Sequence, residues 1–536
     1  MWLHKRIGEK VSIPRVAHKM IEEIVGPENI SDDPAVLAAY QAALHPTYLP
    51  AAVVMPASTE EVAAVVKICN RYKIKYTCFV TMSTACIEPG MLLFDLKRMN
   101  RIIEINEKDM YAIVEPGVTR HALAIECFKK GLQYPVASAP GSALVGAVAK
   151  GIEGHGYLAN RFSDGRRHIL AAEWVLPTGE IFRLGSLGTG AGWFCPTGPG
   201  PGLDGLVTRA SMGIITKIAV KLYPWWGPRE LEVETYIHPK SGAFVYRTKL
   251  PEDKFKLLYF QMPSIDELGW EKSIWNLADA LYEISKAEVG TAVFKLFNWP
   301  IIVEGCYTVE EAWEKIASGL LQKETSRVIT IFIEACCRED LEYQEKVVRE
   351  IIAEYGGKEA PREFYDEGWP GLKCIQVDCS TISILLGISS IHVQKFGGFV
   401  SAGCGVDSID TMVKWGMAIP EIRKEYVEKG LITDTLDSYW IVPTEYGHMA
   451  CTENLILGDP TIPESRAAMF EYAERIKKRN LNEKFPDTMF RFGAYNGQEV
   501  KNLGPLYSNF HLWQIKIKKA LDPNLVANPK FMIPEE

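Results

Sequence analysis

The amino-acid sequence predicts an α+β protein with two successive domains. Its 536 residues are enough for two or three domains, and 47% hydrophobic with 24% charged residues is typical of a globular chain. Strand-like and helix-like patterns alternate up to about residue 228, where proline, glycine and tryptophan interrupt them in "PWWGPRE" (224–230). We therefore expect one α+β domain of two lobes over residues 1–228 and a second α+β domain after it.

Capping residues and apolar strand patterns predict the helices and strands of the first domain. Ser58-x-x-Glu61 is the signature of a capping box and predicts that "EEVAAVVKICNRY" is a helix. Thr119 is placed to cap "RHALAIECFKK", a second helix that Gly131 ends. The predicted strands are "AAVVMP", "IKYTCFV", "MLLFDL", "YAIVEPG", the two halves of "AAEWVLPTGEIFRLG", and "GIITKIAVKLYP".

The second domain is predicted from long amphipathic patterns separated by strands. Its helices are expected at 265–286, 309–322, 339–355 and 463–479. Its strands include "ELEVETYI", "VITIFIEA" and "SYWIVPT", and a last helix is expected within 507–524, stopped by Asp-Pro. We find no internal repeat and no low-complexity linker.

Charge and hydropathy exclude several classes of function. The formal net charge of −8 argues against nucleic acid or an anionic membrane as the main partner. No apolar run reaches the ~18 residues that a membrane span needs. The start, "MWLHKRIGEKVSIP", lacks the apolar core of a secretory signal. We therefore expect a cytoplasmic protein without a membrane span.

The 12 cysteines are expected to be buried thiols rather than ligands or disulfides. None forms a Cys-x-x-Cys pair, so no zinc or iron–sulfur site is predicted. Cys336 and Cys337 end a strand-like run, and neighbouring residues of a strand point to opposite faces. We therefore expect these two thiols to point apart.

One glycine-rich segment is typical of a cofactor site. In "APGSALVGAVAKGIEGHGYLAN", five glycines recur within sixteen residues, which is heavy for simple turns. Glycine permits positive φ angles and lets backbone N–H groups approach a bound anion, and the segment adds a serine hydroxyl. A diphosphate with its ribityl chain needs such a surface. The alternative is a tight-turn segment in a packed domain.

Five motifs in the same order resemble the FAD-binding domain of the vanillyl-alcohol oxidase and p-cresol methylhydroxylase (PCMH) flavoprotein family. They are "MLLFDLKRMNRIIEINEKDMYAIVEPGVT", "APGSALVGAVAKGIEGHGY", "EWVLPTGEIFRLG", "GPGLDGLVTRASMGIITKI" and "IKKALDPNLVANP". The resemblance implies FAD and a two-lobed PCMH-type FAD-binding domain over 1–228. It also implies an α+β cap or substrate domain over 229–488 and a segment, 489–536, that packs back on the FAD domain.

The cofactor-binding residues predicted from the glycine-rich surface and from the resemblance are Thr81, Ser83, Thr84, Pro140, Gly141, Ser142, Gly146, Gly151, Gly154, His155, Gly156, Tyr157, Ser211 and Ile215. Of these, Ser211 and Ile215 rest on the resemblance, and an ordinary core strand explains them equally well. His155 could reach the flavin, although a lone histidine is more often structural. The sequence leaves open whether the flavin is attached covalently.

The loop "CFVTMSTACIEPG" (78–90) departs from the family. There it is rich in glycine and wraps the FAD diphosphate, whereas here no glycine occurs before Gly90. Residues with a Cβ do not adopt the same positive φ angles freely. Either the hydroxyls of Thr81, Ser83 and Thr84 replace some backbone donors, or the loop has closed over an altered site.

Two late clusters offer groups for chemistry on a substrate. "WIVPTEYGHMACTEN" carries Glu445, Tyr446 and His448 after a strand. "MFRFGAYNGQEV" carries Arg491 and Tyr495, which the resemblance places where the family binds a phenolate. We take Arg491, Tyr495, Tyr446 and His448 as candidate catalytic residues, while surface positions are the alternative for each.

A second departure concerns charge. The family places an acidic residue before a histidine near the flavin, whereas "GYLANRFSDGRRH" places Arg166 and Arg167 before His168. This favours an anionic small-molecule substrate.

Two functions follow. The first is a dehydrogenase that takes hydride from an alcohol, alkylphenol or hydroxy acid and passes electrons to a protein partner. The second is a non-catalytic, FAD-poor subunit of a larger redox complex. The oligomeric state, including a homo-oligomer, is left open.

Overall fold

A computed structural model describes most of the chain. The described residues are 12–40, 49–79, 88–135, 144–146, 156–163, 165–198, 213–237, 244–248, 250–295, 327–360, 399–432, 439–458, 462–482, 497–529 and 532–533. The predicted helix at 309–322 lies outside them.

The first lobe is a four-stranded sheet with helices against it. Its strands are β1 (Ile30–Ser31), β2 (Ala52–Val54), β3 (Tyr76–Phe79) and β4 (Leu92–Asp95). They follow the order β1-β2-β4-β3, in which β4 runs parallel to both β2 and β3. The helices are α1 (Arg15–Val25), α2 (Pro34–Ala38) and α3 (Thr59–Tyr72). Ser58 Oγ accepts the Glu61 N–H at 3.1 Å, which confirms the predicted cap of α3.

The second lobe is an antiparallel sheet in the order β5-β6-β10-β8-β9. These strands are β5 (Ile102–Asn106), β6 (Tyr111–Val114), β8 (Ile169–Val175), β9 (Ile181–Gly185) and β10 (Ile214–Lys221). The lobe also contains α4 (Arg120–Lys129), the pair β7 (Leu132–Gln133) and β11 (Tyr223–Pro224), and the short helix α5 (Ala159–Phe162). Thr119 caps α4 by accepting the Ala122 N–H at 3.3 Å, as the sequence predicted.

The part after residue 228 is built on a seven-stranded sheet. Its strands are β14 (Phe255–Gln261), β15 (Ala292–Lys295), β16 (Val328–Glu334), β17 (Lys358–Glu359), β18 (Phe399–Asp407), β19 (Trp440–Thr444) and β20 (Met449–Leu457). The order β17-β14-β16-β15-β19-β20-β18 joins strands that are far apart in sequence. A separate hairpin pairs β12 (Val233–Ile237) with β13 (Phe244–Thr248).

Helices cover one face of this sheet. They are α6 (Ile265–Leu268), α7 (Trp270–Lys286), α8 (Arg338–Glu354), α9 (Ile409–Met417), α10 (Ile419–Glu428) and α11 (Pro463–Asn482). The buried apolar faces of α7 to α11 form one core with every second residue of the strands, such as Val293, Ile331 and Ile441. The other face of the sheet is turned towards the first part of the chain, where Phe294 and Trp440 contact Tyr157.

The C-terminal segment returns to the first lobe, as the resemblance implied. It contains α12 (Gly497–Leu503) and α13 (Phe510–Leu521). Beyond α13, the Tyr76 N–H donates to the Val526 carbonyl at 2.8 Å, and the Asn528 N–H donates to the Tyr76 carbonyl at 2.7 Å. Val526 and Ala527 are buried in the core of the first lobe. The fold is therefore α+β with a returning C-terminal segment, as predicted, while the boundaries at 228 and 488 stay predictions.

The cysteine prediction is partly wrong. Cys69, Cys78, Cys127 and Cys451 are buried thiols, as expected. However, β16 ends at Glu334, so Cys336 and Cys337 lie in the turn that begins α8 and both are exposed. Their sulfurs lie 3.9 Å apart instead of on opposite faces. The strand rule fails because the backbone has already left the strand.

None of the helices in the described ranges combines the length and the hydropathy that a membrane crossing requires.

Candidate functional site

Gly146, near the centre of the predicted cofactor segment, packs directly on the turn that follows β6. Its N–H donates to the Pro116 carbonyl at 3.0 Å, and the Val145 N–H donates to the Val118 carbonyl at 2.8 Å. A Cβ at Gly146 would lie 2.7 Å from Pro116 Cβ and 2.8 Å from Pro116 O. Only glycine fits this contact, so the segment is held close to "EPGVT" in the way that a tightly wrapped cofactor would need.

A buried phenol lies at the start of the same segment. Tyr134 is 2% exposed, and its hydroxyl has no hydrogen-bond partner among the described atoms. Burial raises the pKa of Tyr134 well above its usual value, so the hydroxyl keeps its proton and remains a donor. A buried polar group without a partner is costly unless something else satisfies it. This donor and the glycine contact fit a bound FAD.

Tyr157 is brought against the sheet of the second part. Its ring centroid lies 4.8 Å from that of Phe294 and 5.8 Å from that of Trp440. Tyr157 is 6% exposed, and the preceding Gly156 is also buried. The predicted cofactor segment thus ends in an aromatic cluster that joins the FAD-binding part to β15 and β19.

The register of the sheet identifies which side chains share the face of this cluster. Directly paired residues of antiparallel strands lie on the same face. Trp440 pairs with Glu453, and Phe294 pairs with Thr330, which in turn pairs with Tyr259. Glu453 therefore lies on the same face as Trp440, and its side chain is partly exposed. This face combines aromatic rings with the carboxyl groups of Glu453 and of Glu334, which lies four residues after Thr330 on β16. Such a surface suits an organic substrate beside a flavin.

Sequence reasoning missed Glu453. The stretch "WIVPTEYGHMACTEN" includes it, but the candidate residues chosen there, Tyr446 and His448, lie in the turn before β20. Alternation along β20 gave a usable signal: Glu453 is a charged residue between the buried Thr452 and Asn454. Which face it occupies depends on β19, which the alternation of β20 alone does not reveal.

The turn between β19 and β20 docks on α5. The Glu445 N–H donates to the Ala159 carbonyl at 3.1 Å, and the Tyr446 N–H donates to the Asn160 carbonyl at 2.7 Å. Glu445 and Tyr446 both have φ of 52°, a left-handed conformation that is costly for residues with a Cβ. The two hydrogen bonds to α5 help to hold this conformation, so the turn positions the second part of the chain against the first.

Charged groups complete this docking contact. The Ser163 hydroxyl donates to Glu445 Oε1 at 2.6 Å, and Arg167 Nε lies 3.1 Å from the same oxygen. The sequence-based argument used Arg167 as a positive group for an anionic substrate. In the structure its guanidinium pairs with Glu445, while His168 is fully buried beside Tyr223. An anionic substrate would therefore have to rely on another cation.

The two candidate catalytic residues of this turn occupy different environments. His448 is exposed, and its N–H donates to the Glu445 carbonyl at 3.1 Å within the turn. Tyr446 is partly buried, and burial raises the pKa of its phenol. The turn brings the backbone of both residues to one place, but the aromatic cluster around Trp440 lies at the opposite end of β19.

Glu334 forms a second contact between the two parts. It is 1% exposed, and its Oε1 accepts a hydrogen bond from Gln133 Nε2 at 2.7 Å. Burial raises the pKa of Glu334 to about 7, although Gln133, the charge of Arg161 and the Trp226 backbone act in the opposite direction. Its Oε2 has no hydrogen-bond partner among the described atoms. This carboxyl is therefore protonated over part of the neutral pH range.

Ile215 lies in β10 and is 7% exposed, in the core of the second lobe. The other predicted residues lie outside the described residues: Thr81, Ser83, Thr84, Pro140, Gly141, Ser142, Gly151, Gly154, His155, Ser211, Arg491 and Tyr495. Their roles stay predictions.

Comparison with known proteins identifies the first part of the chain. Residues 50–185 match the family model "FAD binding domain". The flavoprotein subunit of 4-cresol dehydrogenase (hydroxylating) from Pseudomonas putida is 32% identical over 215 residues. The match covers 38% of this chain and 41% of that relative, so this chain spans less than half of its length.

Two solved structures share the fold along nearly the whole chain. The 4-ethylphenol oxidase from Gulosibacter chungangensis superposes with a TM-score of 0.74 at 19% identity, covering 97% of each chain. A substrate-bound p-cresol methylhydroxylase gives a TM-score of 0.73 at 19% identity, covering 98% of this chain and 97% of the other. The family match confirms the predicted cofactor, FAD. Residues 50–185 thus match an FAD-binding domain, and the chain shares the fold of the PCMH-type flavoproteins, as the sequence motifs implied.

Proposed function

We propose that the chain is an FAD-dependent dehydrogenase acting on an alcohol, an alkylphenol or a hydroxy acid. The observation that carries the proposal is the sheet face described above, where Trp440 and Phe294 contact Tyr157 at the end of the predicted cofactor segment. We infer that this sheet face covers the cofactor segment and that a small substrate would bind between the two. Bound FAD would supply the hydride acceptor for the substrate C–H bond.

The residues of the chain would bind and orient the substrate. Aromatic side chains on the sheet face offer stacking surfaces for a phenol or an aromatic alcohol. We assign to Glu453 the role of holding or accepting the substrate hydroxyl proton, since it is the carboxylate that pairs across the sheet with Trp440. Arg491 and Tyr495 remain our candidates for binding an oxyanion.

Substrate class and electron acceptor are the finer parts of the proposal. The proteins named above include the flavoprotein subunit of 4-cresol dehydrogenase and 4-ethylphenol oxidase, so alkylphenols are the first substrate class to test. We favour a dehydrogenase over an oxidase, with a protein partner as electron acceptor. The test is an anaerobic screen in which flavin absorbance is followed after adding alkylphenols, aromatic alcohols or hydroxy acids. Bleaching by one class supports the proposal, and a flavin that no class reduces contradicts it.

The second candidate is a non-catalytic subunit of a redox complex. It is favoured by one observation, the absence of glycine from the loop between Cys78 and Gly90. A protein that stays colourless with excess FAD but co-purifies with redox partners would support this candidate.

A further inference from the structure

The turn between β16 and α8 carries two neighbouring exposed thiols. Seven free cysteines lie in the part of the chain that the structure describes, and of these only Cys336 and Cys337 are classed as exposed. Cys336 Sγ donates to Cys337 Sγ at a separation of 3.9 Å. Two accessible sulfurs at this distance can react with the same small molecule in succession.

The turn is held by hydrogen bonds that do not use either sulfur. Cys337 is the N-cap of α8 but its side chain makes no capping hydrogen bond, and the helix start is held instead by the Leu341 N–H donating to the Cys337 carbonyl at 3.1 Å. The backbone N–H of Cys336 donates to Asp340 Oδ2 at 3.1 Å. The Cys337 carbonyl and the Asp340 carboxylate therefore hold the turn through backbone N–H groups, and neither hydrogen bond uses a sulfur.

A metal site does not explain the pair. No group of three or more histidine, cysteine, aspartate or glutamate side chains suited to a metal occurs among the residues with described positions. Two thiols from adjacent residues are too few ligands for the closed tetrahedral zinc sites of proteins. Thiol–disulfide chemistry needs only the two sulfurs and an accessible path for the reagent.

We propose that Cys336 and Cys337 are a redox-active dithiol that closes to a disulfide by exchange with a small-molecule disulfide. The sulfur of Cys337 attacks one sulfur of the reagent, which forms a mixed disulfide and releases one thiol. The sulfur of Cys336 then attacks the Cys337 sulfur, which forms the Cys336–Cys337 bond and releases the second thiol. One reagent disulfide is reduced to two thiols, and the two protein thiols give up the two protons and two electrons.

The order of attack follows from the contact between the sulfurs. Hydrogen bonding to Cys337 and the nearby charge of Asp340 raise the pKa of the Cys336 thiol. Cys336 therefore keeps its proton and donates it towards Cys337. Once Cys337 is held in the mixed disulfide, Cys336 is the neighbouring sulfur within reach to attack it.

The disulfide would be readily reduced again. Adjacent Cα atoms lie about 3.8 Å apart across a trans peptide, less than the 4.4–6.8 Å usual for disulfides. Such a bond is strained, and strained exposed disulfides are the labile class. The redox state of the pair would thus follow that of the surrounding thiols, and the disulfide would not serve to stabilise the fold. It lies apart from the aromatic cluster around Trp440, so it adds a function to the proposed oxidoreductase and does not depend on it.

The test treats the reduced full-length protein with glutathione disulfide, blocks free thiols with an alkylating reagent, and analyses the tryptic peptide 328–338 by mass spectrometry. We expect the wild-type peptide to lose two hydrogens and to carry neither glutathione nor alkyl group. We expect Cys336→Ser to keep glutathione on Cys337, because the second attack is gone. Cys195, a single partly exposed thiol, serves as the internal control and cannot form this product.

Three results would overturn the proposal. They are alkylation of both cysteines in the wild type, stable glutathione on both, and a disulfide between two protein molecules. Addition of a monothiol should restore alkylation of the wild-type peptide, and a product that resists the monothiol would contradict the labile bond. Because Cys336 is exposed, Cys336→Ser should fold, which is checked by an unchanged circular dichroism spectrum and an unchanged thermal unfolding midpoint.

Discussion

Replacing Glu334 by glutamine tests the buried contact between the two parts of the chain. The pKa of this carboxyl is raised from 4.5 to about 7 by burial. In the unfolded chain the carboxyl ionises near its ordinary pKa, whereas in the folded chain it holds its proton to higher pH. The stability that the protonated carboxyl contributes is therefore fully present below pH 4.5 and is lost as the pH rises through 7.

The magnitude follows from the size of the shift. One pKa unit corresponds to about 1.4 kcal/mol, so ionisation of Glu334 lowers the free energy of unfolding by about 3 kcal/mol well above neutral pH. About 2.5 kcal/mol of this loss occurs between about pH 5 and about pH 8. Glu334→Gln removes the titration while keeping shape and an acceptor for Gln133. The free energy of unfolding of the variant relative to wild type should therefore rise by about 2.5 kcal/mol over that range.

Urea unfolding followed by tryptophan fluorescence, at about pH 5 and about pH 8, measures this difference. Using the change between two pH values cancels any constant cost of the amide group. Glu342→Gln is the matched control, because Glu342 is exposed on α8 and loses the same charge without changing a buried group. A stability difference for Glu334→Gln that is equal at both pH values would refute the reasoning.

Three further substitutions test the site. Gly146→Ala should reduce the amount of FAD bound per chain several-fold, because the new Cβ would lie only 2.7–2.8 Å from Pro116 atoms. Gly416→Ala is the control and should leave the FAD content unchanged, because its Cβ would lie at an ordinary 3.6 Å from the nearest atom, in Tyr439. Glu453→Gln should slow anaerobic flavin reduction by about 100-fold or more with FAD content unchanged, and an unchanged rate would remove it from the site. Arg491→Ala should weaken binding of an anionic substrate by ~2–5 kcal/mol, seen as a higher KM or much slower reduction, and an unchanged KM and rate would exclude this residue.

Local signals predicted local structure well. Ser58 and Thr119 cap their helices, as their positions before apolar helical patterns indicated. These signals succeed because the side chain and the N–H group that it binds are three residues apart. The motif order also led correctly to the two-lobed FAD-binding fold and the returning C-terminal segment, since the motifs lie on strands of both lobes.

The order of the strands and the contacts between distant residues could not be predicted from the sequence. The order of the seven-stranded sheet places β18 next to β20 and β15 next to β19, and nothing in the strands themselves identifies these partners. Glu453 was missed because its face is set by β19. Arg167 was assigned to a substrate because its partner, Glu445, lies 278 residues away in sequence. Cys336 and Cys337 were placed on opposite faces because the end of β16 at Glu334 was not predicted.

The measurement that tests the central claim most directly is the amount of FAD released per chain from gently purified protein, before and after incubation with excess FAD. We expect close to one FAD per chain in the saturated protein, held mainly by residues 140–157. We also expect weaker retention when Ser83 and Thr84 are replaced by alanine. A wild-type protein that still carries no FAD after incubation would contradict the enzyme proposal and leave the non-catalytic subunit in its place.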